Sequence, residues 1–253
     1  GFLALRAGTG KGRALFIGGR GLRSVEAGTM ALGMKAVLAA LGLMVWASAA
    51  QAAADMRFRL IPYGSQSECA RNCPLVIVAE GEIRADTPAR FRAFVESQRR
   101  NPRFHAVVIL NSPGGVVEAS MMLGRMFRAT NVLAIVARPL QGQQSGTRLA
   151  AGRCYSACVY ALMGAAKRVV PPQSNVGIHR MHLDERGRGA VAGVPARRVY
   201  GTPAWVERLS NYAWEMGISR DLIATAETIE PEKIRVLTQS ELQGWRLAAP
   251  SYQ

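Results

Sequence analysis

The sequence predicts an α/β fold. Short, almost wholly apolar runs bounded by turn residues alternate with segments of helical apolar spacing. Two of those runs, His105–Leu110 and Val132–Ala137, are of the kind that parallel sheets bury on both faces. The 253 residues suit one large domain or two small ones, and the composition is that of a folded protein, not of a collagen, coiled coil or disordered chain.

The elements follow in order. Leu75–Ile83 reads as a strand. Asp86-Thr87-Pro88 opens a helix, with a capping residue before a proline in the first turn. That helix runs towards Arg100 and turns Phe91, Phe94 and Val95 inward. After the strand at 105–110, Asn111-Ser112-Pro113-Gly114-Gly115 is a sharp turn into a helix with Val116, Ser120, Leu123 and Phe127 on one face. The strand at 132–137 leads into a polar loop over 138–153, and Cys154–Ala166 reads as a tightly packed helix of small residues. Strands at 167–170 and 175–179 flank a Pro171-Pro172 turn. Residues 183–202 are Gly- and Arg-rich without apolar period, and are expected to form a mobile loop over the site. Thr202-Pro203 starts another helix, and the C-terminal part is helical with a short hairpin or coil over Arg235–Ala248.

Residues 1–33 are expected to be a disordered leader or an over-extended start. Residues 34–52 have the parts of a secretory signal: Lys35 as the positive region, Ala36–Val45 as the apolar region, and Ala50-Gln51-Ala52 as a small-x-small cleavage site. The expected product is a periplasmic or secreted chain starting near Ala53, occupying residues 53–253 as one domain. The alternative is retention of the same segment as a membrane anchor. The net charge of +15 falls to +10 beyond residue 52, with 26 basic and 16 acidic residues. These cations are dispersed and form no basic helix interleaved with aromatics, so a solvated surface is expected, without nucleic-acid binding.

Asn111-Ser112-Pro113-Gly114-Gly115 before a helix, Ser156 at the start of a small-residue helix, and Ile178-His179 ending a strand come in an order that resembles the Clp proteolytic subunit and the signal peptide peptidase A type. The resemblance spans residues 75–248. It implies a ClpP/crotonase-like stack of ββα units with C-terminal helices and an exported serine peptidase that cleaves a peptide or protein substrate. It also implies a homo-oligomer, no cofactor and no metal. Ser156 is then the nucleophile and His179 the base, with the N–H groups of Gly115 and Ala157 as the oxyanion hole.

The chemistry of these residue types agrees. A serine hydroxyl needs a base within hydrogen-bond reach, and an imidazole titrates near neutral pH. Each residue also has a plainer role: Ser156 as a helix cap, His179 as a hydrogen-bonded strand end, Gly114-Gly115 as a turn. The sequence departs from the family at the third residue, where Ile234 stands in the acid's place. Glu230, Glu232, Asp184 or a backbone carbonyl remain as substitutes, and a Ser-His dyad or an inactive relative are open alternatives. His182 is a second possible base, and Cys158 a second possible nucleophile.

The four cysteines fall into the local pairs Cys69/Cys73 and Cys154/Cys158. An exported chain permits disulfides, and bonds 69–73 and 154–158 are expected, with a crossed pairing as the alternative.

Overall fold

The computed structural model describes residues 54–64, 69, 72–140, 148–185 and 197–249, without the side chains of 183–185, 197 and 198. Both N-terminal segments, 1–33 and 34–52, lie outside the described residues. Among the described residues, no helix is long and apolar enough to cross a membrane.

The architecture is mixed α/β. The strands are β1 (Arg57–Pro62), β2 (Leu75–Glu80), β3 (Phe104–Asn111), β4 (Leu133–Pro139), β5 (Leu149–Ala151), β6 (Arg153–Tyr155), β7 (Lys167–Val169), β8 (Asn175–Ile178), β9 (His182–Glu185), β10 (Arg197–Tyr200) and β11 (Arg235–Val236). The helices are α1 (Thr87–Ser97), α2 (Val117–Ala129), α3 (Cys158–Gly164), α4 (Pro203–Glu215), α5 (Asp221–Glu227) and α6 (Gln239–Gly244).

The main sheet has the order β1-β2-β3-β4-β5, with β7 also paired to β4. Strands β2, β3, β4 and β7 are parallel; β1 and β5 are antiparallel additions. Strand alternation explains the continuous apolar runs. Ile77, Ala79, Val108, Leu110, Ala134 and Val136 face the large core under the helices, whereas Val76, Val78 and Ile109 face a smaller cluster with Ile61 and Ala137. Phe91 stacks edge-on against Phe127 at 5.1 Å and tilts against Phe58 at 5.3 Å, tying α1 and α2 to β1. Helices α2 and α3 meet at Gly124 and Gly164, where a Cβ on Gly164 would collide with the Gly124 backbone.

A second sheet, β11-β8-β6, stands beyond the end of β3. It joins the first through a parallel bridge between Ser112 and Cys154. This join brings the Gly114-Gly115 turn to the ends of β6 and β8.

Four expectations change. Residues 154–155 are strand, because Cys154 and Tyr155 pair with Val176 and Gly177, and a tertiary partner overrides the small-residue helical pattern. The helix therefore starts later, at Cys158. The loop over 138–153 is shorter than expected: β4 extends to Pro139, and Leu149–Ala151 pairs with it. Residues 183–202 contain the antiparallel pair β9 and β10, and the intervening 186–196 lie outside the described residues. In the C-terminal segment, Thr238 and Glu241 form a capping box that starts α6, which takes Gln239–Gly244 out of the expected hairpin or coil over 235–248. The sequence reading also passed over β1, whose Arg-Phe-Arg-Leu alternation is a period-two signal.

Candidate active site

Parallel pairing of β6 with β8 sets Tyr155 beside Gly177. The next residue on one strand is Ser156, and two residues further on the other is His179. Adjacent strands lie ~4.8 Å apart, so side chains leaving these two ends can meet. They do: His179 Nε2 stands 2.7 Å from Ser156 Oγ.

Ser156 does not open the helix as expected. It occupies the turn between β6 and α3 with φ 55°, a left-handed conformation rare for a residue with a side chain. Its backbone is held on both sides, since its N–H donates to the Gly177 carbonyl at 2.9 Å and its carbonyl accepts from Val159 N–H at 3.0 Å. Strain of this kind, ~1–3 kcal/mol, persists only where surrounding structure enforces it. The disulfide between Cys154 and Cys158 spans this turn from strand to helix. Cys69 and Cys73 are bonded to each other, so both local pairs form. The bond removes Cys158 as a nucleophile.

The turn at 114–115 lies against this elbow. Gly114 has φ 114° and Gly115 φ 135°. A Cβ on Gly114 would sit 2.8 Å from both Ser156 Cβ and the Tyr155 carbonyl oxygen, and one on Gly115 would collide with the Ile83 carbonyl. Only glycine permits this approach. Gly114 N–H donates to Ser112 Oγ at 3.1 Å. The N–H groups of Gly115 and Ala157 donate to nothing among the described residues, and both residues line the cavity at Ser156.

That cavity measures about 510 Å³. Val116, Tyr160, Met181 and Leu222 supply apolar wall, while Glu82, Arg84, His179 and His182 supply the polar groups. Arg84 is neutralised by Asp55 at 2.9 Å and Glu82 at 3.1 Å. Burial pushes the His179 imidazole below the usual histidine pKa; the Arg180 backbone opposes this and neighbouring His182 adds to it. The shift keeps His179 neutral near pH 7, the form that accepts a proton.

The third member is absent from the described side chains. His179 Nδ1 is buried and makes no hydrogen bond among the described residues. Glu230 is exposed and paired with Lys233 at 2.7 Å, and Glu232 is exposed. Asp184 lies on β9 opposite Arg198, and its side chain is outside the described atoms. Strand β11 pairs Arg235 with Ile178, and Ile234, the residue before it, is exposed with its Cγ2 beside Gly177. His182 lines the same cavity with its ring 6.0 Å from that of His179, but it is His179 that meets Ser156.

Sequence reading missed Glu227, a half-buried carboxylate at the end of α5 that forms an ion pair with Arg180 at 3.3 Å. Burial raises its pKa and Arg180 opposes the rise. It braces the residue after His179, and no local motif marks it, since the contact joins elements 47 positions apart. Among the described residues, no group of three or more His, Cys, Asp or Glu side chains gathers where it could hold a metal ion.

No family model matches the chain, and no curated protein matches it either. Among solved structures it is similar to the 1510-N membrane-bound stomatin-specific protease. A serine-to-alanine mutant of that protein aligns with a TM-score of 0.47 at 15% identity, over 69% of this chain and 78% of that one. A lysine-to-alanine mutant in complex with a substrate peptide aligns with a TM-score of 0.47 at 16% identity, over 69% and 74%. The likeness is coarse and carries nothing about chemistry.

Proposed function

We propose that the chain is a serine peptidase or hydrolase of ClpP/crotonase-like architecture, a stack of ββα units with C-terminal helices, acting by acyl transfer. The observation that carries the reading is the 2.7 Å contact between His179 Nε2 and Ser156 Oγ at a strand-to-helix elbow. Ser156 Oγ attacks the substrate carbonyl carbon as its proton passes to His179 Nε2. Negative charge then develops on the carbonyl oxygen beside the unclaimed N–H groups of Gly115 and Ala157, each worth ~3 kcal/mol in serine proteases. The imidazolium returns the proton to the departing amine, leaving an acyl-serine. Water then attacks the acyl carbon while its proton passes to His179; the bond to Ser156 Oγ breaks, the imidazolium returns the proton to that oxygen, and the acid leaves.

A fluorophosphonate probe tests this directly. Labelling of the wild-type protein that disappears in Ser156→Ala and falls strongly in His179→Ala supports the hydrolase; equal labelling in Ser156→Ala rejects Ser156 as the nucleophile.

One observation favours a second reading, a catalytically inactive binding protein of the same fold: no described carboxylate orients His179 Nδ1. In that case peptides bind but the probe does not label Ser156.

The site is proposed to work outside the cytoplasm, with residues 34–52 removed as a signal and the mature chain starting near Ala53. Two disulfides suit an oxidising compartment. N-terminal sequencing of the exported protein checks this; residues 36–50 still attached in the membrane fraction replace the signal with an anchor. A peptide or protein substrate and a homo-oligomer follow by analogy with the fold.

A further inference from the structure

A second cavity, of about 400 Å³, opens beside the first. The two share Gly115, Val116, Val117, Met181 and His182 as walls, so a chain held at Ser156 has direct access to both. The far side of the second cavity is aromatic and apolar: Trp205 from α4, with Tyr200 and Val199 from β10. Trp205 is fixed, because its indole N–H donates to Met181 Sδ at 2.6 Å and its backbone N–H to the Thr202 hydroxyl at 3.3 Å. Tyr200 is exposed, but the Arg180 guanidinium lies 4.4 Å over its ring. These walls are held in place before any ligand arrives.

At the rim stands Glu118, in the first turn of α2. Most described carboxylates are paired. Asp55, Glu82, Asp86, Glu96, Glu215, Glu227, Glu230 and Glu241 each pair with a cation. Glu118 has neither an ion-pair nor a hydrogen-bond partner among the described residues, in a chain of net charge +15. An exposed carboxylate without a partner among the described residues, at the mouth of an apolar cavity, matches a ligand that brings its own cation.

We infer that the Trp205 cavity with Glu118 at its rim is a subsite for a substrate segment in which an apolar side chain is flanked by a lysine or arginine. This rests on the hydrolase reading for its substrate class, but binding can be measured without turnover. The apolar side chain enters between Val117, Met181 and Trp205, and the neighbouring cation meets Glu118. A rim carboxylate contributes through an exposed pair, whose strength is modest and screened by salt.

The test uses the full exported chain carrying Ser156→Ala, so that peptides bind without being cut. Fluorescein-labelled hexapeptides, with one leucine flanked on either side by lysine, glutamine or glutamate, are titrated by anisotropy at low salt. The lysine peptide is expected to bind about fivefold more tightly than the glutamate peptide. That ratio collapses towards one in Glu118→Gln, reverses in Glu118→Lys, and shrinks as salt is raised. Glu207→Gln, which removes another exposed carboxylate without a partner among the described residues, leaves it unchanged. Equal binding of the three peptides, no binding of any, or a lysine preference that survives Glu118→Gln overturns the inference. Selective binding without probe labelling of the wild-type protein leaves the subsite standing and removes the hydrolase. Labelling without selectivity does the reverse.

Discussion

Replacing both Cys154 and Cys158 by alanine tests whether the disulfide shapes the elbow or only adds stability. The bonded residues are four apart, so the closed loop spans about five residues, and the chain-entropy relation gives it ~2 kcal/mol. Both cysteines are fully buried, and loss of the two sulfur atoms adds ~1 kcal/mol of cavity cost. Global stability should therefore fall by ~3 kcal/mol, which lowers a urea midpoint by ~1–2 M. The local effect differs in kind. Ser156 sits at φ 55°, and without the bond the hydrogen bonds to Gly177 and from Val159 remain to oppose its relaxation. If the clamp's ~2 kcal/mol acts on that conformation, the competent elbow becomes up to ~30-fold rarer. Fluorophosphonate labelling, measured well below the urea midpoint where the protein is folded, should slow by ~3–30-fold. A labelling rate equal to wild type, with the urea midpoint lowered as expected, refutes the clamp and leaves the disulfide a stabilising bond alone.

Three further outcomes follow from the same geometry. Ser156→Ala and His179→Ala should each remove most turnover, and the double variant should be little worse, because the pair acts as one unit; multiplicative losses in kcat/KM would count against it. Labelling should have its acid limb below the ordinary histidine value of ~6.5, since burial favours the neutral imidazole, and His182→Gln should move that limb upward. The linked stability has the same sign: it is complete above the unfolded value, is lost as pH falls through the lowered folded one, and should flatten in His179→Gln urea titrations. Gly114→Ala forces a side chain onto φ 114° and into Ser156, so it should cost ~2–4 kcal/mol in urea and abolish labelling, whereas Gly244→Ala, with nothing within 4 Å, should change stability by under ~1 kcal/mol.

Much of the site can be read from sequence because it is built from local signals. Asn111-Ser112-Pro113-Gly114-Gly115 marks a tight turn whatever surrounds it, and short apolar runs mark buried strands. The start of α3 was misplaced because Cys154–Ala166 carries a consistent small-residue pattern, and only pairing with β8 makes its first residues strand. The capping box at Thr238 and Glu241 is a local signal, a threonine followed three residues later by a glutamate. Glu227 was not legible, because nothing near it in sequence tells that it meets Arg180.

The sequence by itself determined the α/β class, the apolar runs that become β2, β3 and β4, and which serine, histidine and glycines are candidates. Periodicity and turn chemistry are properties of neighbouring residues, so a linear chain carries them in full. Tertiary structure alone decided that Ser156 sits at a left-handed elbow, that its oxygen meets His179 and not His182, that no described carboxylate reaches His179 Nδ1, and that Glu118 lacks a partner among the described residues. Each of these depends on strand register and on contacts between distant elements, and a shift of one residue in β6, β8 or β11 would undo them.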